Sequence, residues 1–325
     1  MYSAKRKNRL LILMLLAAAI ALPGCGNPFI KDILDKGGDE GTPGRVTRTA
    51  GIYVGSSTVP EPGISGLVAG LTWISSNEVD EQSYRIVLDA NETVGPQSLT
   101  TGVTTGITII LEGVGAERII QLSSNGSLFT IPDRITLVLD KYITLRGAPG
   151  NNNSLVRVNT GGNLEMREDA KITGNTHNSS FSYGGGVYVD GGTFTMNDSA
   201  SVSGNTATTT TSFGGGVSVA GGTFIMNDSV SVSNNTAFAD GAYNRGGGVN
   251  IMTISTLTMN GGTIYGSGGG PDANKLEGAA STKQGISLFK GSGSSAIAQY
   301  GNGDLIIPGV QSSVLYTDAT ITGHP

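Results

Sequence analysis

Asp198 and Asp228 stand at the same place in two nearly identical stretches, GGTFTMNDSASVSGNT and GGTFIMNDSVSVSNNT. If these stretches stack as successive turns of one fold, the two carboxylates lie ~5 Å apart, close enough for a calcium pair or an acid–base dyad. The competing reading is turn chemistry, in which the aspartate of Asn-Asp-Ser bonds to backbone at a sharp corner. The aligned position is Gly261 in the following copy and Glu168 in the preceding one, and the turn is the stronger expectation. Cleaving a glycosidic bond takes a close carboxylate pair, or acidic ligands with a cationic base. Residues 172–270 carry only Asp190, Asp198, Asp228, Asp240 and Arg245 as charged side chains, so no catalytic residue is assigned.

A second set of residues could bind without reacting. The segments HNSSFSY (177–183), ATTTTSF (207–213) and AFADGAYNR (237–245) each precede a glycine triplet and differ from copy to copy. Tyr183, Phe213 and Tyr243 recur near one place in them, with Phe181, Phe238 and Arg245 alongside. Variable loops on a repeated scaffold are where repeat proteins present binding surfaces, and aromatic rings there suit sugar rings or a protein partner. The alternative is that the rings fold back as packing over strand edges. His177 and His324 are isolated, with no Cys or His cluster for zinc, and no motif points to a metal or cofactor. GVGAER (113–118) lacks the third glycine and the following helix of a dinucleotide loop, which leaves it a turn. With a net charge of -5 the chain has no basic footprint for nucleic acid.

What must position these residues is a repeat. GGGV begins at Gly184, Gly214 and Gly246, and a weaker copy runs from Leu155 to Thr176. Each copy holds three short segments of alternating apolar residues: Val187/Val189, Phe194/Met196 and Ala200/Val202, then Val217/Val219, Phe224/Met226 and Val230/Val232. None has helical spacing, and Gly-Gly or Asn-Asp turns separate them. Glycine is 51 of 325 residues without raised proline, which favours strands joined by tight turns over collagen or linker. The expected fold is all-β, a right-handed parallel β-helix with three short strands per coil. A β-propeller, the rival repeat fold, needs four longer strands per unit. In such a stack Asn197, Asn227 and Asn260 form one asparagine ladder, and Asn175, Asn205 and Asn235 a second. Stacked amides bond to one another and to turn backbone, which explains their retention without a ligand.

The stack is expected to cover residues 84–270, because YRIVLD, GITIILEG, RIIQLSSNGSLFTI and ITLVLDKYITLRG read as divergent early coils. Within residues 63–83, SGLVAGLTWISSNEV reads as a short helix that covers the open strand edges of the first coil. Ser65 is its expected N-cap, with Leu67, Val68, Leu71 and Ile74 on one face. Residues 271–325, including GISLF, DLIIPG and SVLYTDATITG, are expected to supply closing coils and a cap.

Lys5, Arg6, Lys7 and Arg9 precede the apolar run Leu10–Leu22. As a helix that run would span ~20 Å, short of the ~30 Å bilayer core, so residues 1–24 read as a secretory signal. The ending LPGC resembles a bacterial lipobox, although Pro23 departs from the usual small residue there. The resemblance implies that Cys25, the single cysteine, becomes the lipidated first residue of the mature protein, held on a membrane by its acyl chains. Residues 25–62, with GGDEGTPG and VPEPG, read as a flexible tether.

The repeat GGGVYV…GGTFTMN…VSGNT, with its lead-in SYRIVLDANET…ITLVLDKYITLRG, resembles repeat lipoproteins of spirochaetes. More distantly it resembles the repeats of chlamydial polymorphic outer-membrane proteins, over residues 67–323. The resemblance implies a lipid-anchored β-helix of the cell envelope, at the outer membrane or cell surface. It would act as an adhesin-like or structural module that binds a glycan or a host or neighbouring surface protein. Surface β-helices host several activities, so a polysaccharide lyase or glycoside hydrolase of this class, or a passive stalk, are the alternatives.

Overall fold

The computed structural model describes residues 48–252, 254–267, 269–285 and 288–290, with the short stretches 299–300, 303–304, 315–317 and 320–322. The signal segment, Cys25, the first part of the tether, most of DLIIPG, and His324 lie outside these residues.

Period-2 alternation with a turn every few residues sends the chain repeatedly around three walls. Sheet 1 stacks Gly51–Val54, Ser83–Leu88, Ile107–Gly113, Ile135–Leu139, Asn163–Met166, Thr193–Met196, Thr223–Met226 and Thr256–Met259 in that order. Sheet 2 runs from Glu92–Val94 to Thr263–Ile264, and sheet 3 from Gln97–Ser98 to Leu288–Lys290, in the same coil order. Successive coils pair parallel, so the repeated residues lie directly on one another: Phe194 on Phe224, and Met196 on Met226 on Met259. The molecule is a parallel β-helix, as the repeat implies.

Identical inward residues stack because each coil offers its neighbour the same hole at the same height. The Phe194 and Phe224 rings lie 4.8 Å apart and 5° from parallel, and both are fully buried. Val187, Val217 and Val249 line another wall of the same continuous core. Burying a side chain of this size stabilises by roughly 1.5–3 kcal/mol, and every coil repeats the gain.

Both ends of the described stack depart from the parallel pattern. Gly51–Val54 lies inside the stretch read as tether, yet it pairs antiparallel with Ser83–Leu88 and buries Ile52 and Tyr53. The packing segment therefore starts before residue 62. At the other end Leu315–Thr317 and Ile321–Thr322 close sheets 3 and 2 as antiparallel strands.

The helix is Leu67–Asn77, inside the expected span. Its N-cap is Gly66 rather than Ser65, and the cap is supplied from a coil: the Glu92 carboxylate accepts the Leu67 N–H at 2.9 and 3.1 Å. A negative group at this terminus also suits the helix dipole. Leu67, Gly70 and Ile74 form the buried face, whereas Val68 is 45% exposed. Gly70 sets that rotation, since a Cβ there would meet Ile86 Cδ1 at 2.9 Å.

The fold also holds more than three strands per coil. The segments just before the glycine triplets, read as loops, are ordered strands of a fourth sheet. Thr206–Phe213 and Thr236–Arg245 pair parallel along their lengths, flanked by Thr176–His177 and Ser182–Tyr183 on one side and by Lys275–Glu277 and Thr282–Gln284 on the other. Thr/Ser-rich text of this kind fits a pleated surface whenever a neighbour one coil away offers backbone partners.

Candidate functional site

The corners explain most of the retained polar text. Asn227 Nδ2 donates to Asn197 Oδ1 at 2.7 Å, and Asn260 Nδ2 to Asn227 Oδ1 at 2.8 Å, forming the first expected ladder. The second ladder is longer than its sequence signature. It runs Asn151, Asn175, Asn205, Asn235, Asn274, each at most 1% exposed, linked by amide-to-Oδ1 bonds of 3.0–3.2 Å. Asn151 and Asn274 were hidden because coils of different length move them out of period; GNNNS and PDANK mark them only as asparagine before a corner.

The glycine triplets serve this ladder. The first glycine of each, Gly184, Gly214 and Gly246, has φ of 59°, 74° and 65°, a left-handed bend that turns the chain from sheet 4 into sheet 3. The third makes room for the amides: a Cβ on Gly186 would sit 2.9 Å from Asn205 Nδ2, and one on Gly216 2.8 Å from Asn235 Nδ2.

Asp198 and Asp228 are turn residues with φ of 58° and 52°. Asp228 Oδ2 accepts the Asp198 N–H at 3.0 Å, and Asp198 Oδ2 accepts the Glu168 N–H at 3.4 Å. Each carboxylate thus ties its own corner to the coil before it. Among the described residues no cluster of three or more His, Cys, Asp or Glu side chains is placed to hold a metal ion.

Sheet 4 is built from arches, each with an outbound arm and a return arm. Their inner seam is polar. Ser182 Oγ donates to the His177 carbonyl at 2.8 Å, Ser212 Oγ to the Phe238 carbonyl, and Asn244 Nδ2 to the Ala237 and Glu277 carbonyls at 2.8 and 2.6 Å. His177 belongs to this seam, with Nδ1 at 3.0 Å from the Tyr183 carbonyl and Nε2 at 2.9 Å from Ser179 Oγ. Burial lowers its pKa, so near neutral pH the ring is an uncharged brace.

The return arms carry the aromatic candidates. Tyr183, Phe213 and Arg245 are consecutive rungs of one column. Tyr183 is sandwiched, with Phe213 at 5.5 Å on one face and Tyr188 of sheet 3 at 5.3 Å on the other. Arg157 extends this stack over the Tyr188 ring at 5.4 Å and pairs with Asp190. Burial, then the Asp190 charge, pushes the Tyr188 hydroxyl up to about 12. Arg245 lies between Tyr243 and Phe289, 4.4 and 4.5 Å from the two ring centres, and its Nε is buried without a hydrogen-bond partner. Tyr188 and Arg157 were missed in the sequence because they sit on a repeat strand rather than in a variable segment.

The six expected binding residues therefore separate. Phe238 is on an outbound arm, in register with Thr208 and Glu277, away from the others. Both faces of the Tyr183 ring are covered. Phe181, 59% exposed, and Tyr243, 43% exposed, present ring surface to solvent, with Arg245 packed against Tyr243 and Phe213 stacked on Tyr183.

This is an all-β solenoid with a lateral sheet of arches on one corner. No family model, curated protein or solved structure matches the chain.

Proposed function

We propose that the protein is a lipid-anchored β-helix of the cell envelope that acts as an adhesin-like or structural surface-binding module, without catalysis. The observation that carries the reading is the exposed aromatic surface on the arches beside a repeat scaffold whose repeated Asn and Asp side chains are bonded to one another or to backbone. The Asp198 and Asp228 carboxylates are bonded to backbone, and those of Glu112 and Asp140 to Arg85. The charged leader and the LPGC sequence at Cys25 support secretion and anchoring at the outer membrane or cell surface. The likeness to spirochaete repeat lipoproteins belongs to the same proposal.

External protease applied to intact cells is expected to remove the protein, and full protection would overturn surface display. Labelled fatty acid is expected on wild type and not on Cys25→Ala; equal label in both would end the lipid anchor.

A further inference from the structure

Phe181, just before the strand Ser182–Tyr183, and Tyr243, within Thr236–Arg245, belong to the first and third arches of sheet 4. Thr211 pairs with Tyr243, and Phe181 directly precedes Ser182, whose partner is Ser212. The two residues are thus two coils apart in the chain's register, ~10 Å along the solenoid axis, with the short Thr211 at the rung between them. Thr211 is a short side chain and only 9% exposed, so no large side chain stands at the rung between them. Thr209 and Thr210 on the middle arch and Asp240 on the next add hydroxyl and carboxylate groups at the rim. Asp240 is already held by the Ala279 N–H at 2.9 Å, which leaves it further acceptor capacity.

We infer that this ledge binds an uncharged, extended, β-1,4-linked glycan lying parallel to the solenoid axis. The inference rests on the surface-binding reading and adds a ligand class to it. Sugar rings place their C–H faces on aromatic rings and keep their hydroxyls for flanking polar groups, the mixture of few polar groups and apolar surface that ligand sites use. In a β-1,4-linked chain each sugar is flipped relative to the last, so the same face returns every second sugar. That return matches two coil spacings. Phe181 and Tyr243 would therefore receive sugars one and three of a run, with the middle sugar over Thr211. A helical α-1,4-linked chain curves away from such a straight gauge. Tyr183 and Phe289 cannot serve, because the Tyr183 ring is stacked against both Tyr188 and Phe213 and Phe289 is buried. The strand that carries Tyr243 bears one charge of each sign, Asp240 and Arg245, which favours a neutral ligand.

The test titrates the full chain in detergent with cello- and chito-oligosaccharides of two to six units, and with maltotetraose. Three sugars are needed to touch both rings. A β-linked trimer or tetramer is therefore expected to bind at least about tenfold more tightly than the dimer, with little gain beyond it. Phe181→Ala and Tyr243→Ala should each return the tetramer to dimer-like affinity, while Tyr243→Trp retains binding and the distant Val68→Ala changes nothing. All three positions are exposed, so folding is not at stake. Affinity independent of chain length, equal binding of maltotetraose, indifference to both alanine variants, or no glycan binding at all would each overturn the inference. If glycans fail while the purified chain still adheres to cells through a protease-sensitive receptor, the ligand is a protein and the surface-binding reading stands.

Discussion

The same corner of the solenoid is built in two different ways along its length. Where sheet 1 turns into sheet 2, register aligns Glu112, Asp140, Arg167, Asn197, Asn227 and Asn260 in one column, each directly following an inward Leu or Met rung or its equivalent. In the early coils the column is charged. Arg85 Nη1 donates to Glu112 at 2.7 Å and Asp140 at 2.6 Å, with Arg48 and Lys141 within 3.5 and 3.6 Å of Glu112. In the late coils it is a neutral amide ladder. Glu165 joins the two halves, accepting from Arg167 at 2.7 Å and from Asn197 at 2.9 Å. An amide is its own complement, donor below and acceptor above, so one residue can be copied from coil to coil. A charge needs an opposite charge, so the early coils cannot repeat and their text diverges.

The largest test of that contrast is Arg85→Met. It leaves Glu112, 5% exposed, and the mostly buried Asp140 without their shared cation. Orphaning a buried charge costs about 3–5 kcal/mol, discounted toward the lower end by Arg48 and Lys141 nearby. Chemical denaturation with hydrogen exchange should show the loss in the early coils, and neutralising the column as Arg85→Met/Glu112→Gln/Asp140→Asn should recover much of it. A loss spread evenly through the chain would contradict the nearest-neighbour logic of a solenoid.

Acid should separate the halves more gently. Burial raises the Asp140 pKa, but the charge and hydrogen bond of Arg85 outweigh it and hold the carboxyl below its ordinary value. Its contribution is complete above the unfolded value of about 3.9 and is lost as pH falls through the lower folded value. Early-coil amides should therefore lose protection below about pH 4, while the asparagine corners, which do not titrate, keep theirs. Equal acid sensitivity in both halves would remove the charged column as the cause.

These contrasts bear on what the sequence could reveal. The β-helix was legible because Val187, Phe194, Met196 and their copies keep one period, and stacking requires like on like. The ladder of Asn205 was legible for the same reason. Sheet 4 was not, because a strand such as Thr206–Phe213 takes its order from a neighbour one coil away, and the arch bends within it break any simple alternation. Gly51–Val54 was hidden by flanking Gly, Pro and charge, although Ile52 and Tyr53 fill the first coil. The binding candidates were found by type but not by role. Tyr183 and Phe213 look alike in the text to Phe181 and Tyr243, and only the corner at the glycine triplet decides which rings are stacked and which face solvent.

The two amide ladders give the finest comparison, since they share chemistry and differ in burial. Asn205→Leu removes an acceptor from the Asn175 N–H and a donor from the Ile172 carbonyl in a fully buried corner. Unsatisfied buried groups cost about 1–3 kcal/mol each, and the branched side chain must also fit beside Gly186. Asn227→Leu breaks bonds to Asn197 and Asn260 of similar length, but that corner is only half-buried and water can replace them. The expected cost there is under about 1 kcal/mol, the net worth of an ordinary hydrogen bond. Denaturation midpoints of the two variants, measured together, decide whether burial or the amide bond itself sets the strength of a corner. If Asn227→Leu costs as much as Asn205→Leu, cooperative polarisation along the ladder, rather than exclusion of water, holds the late coils together.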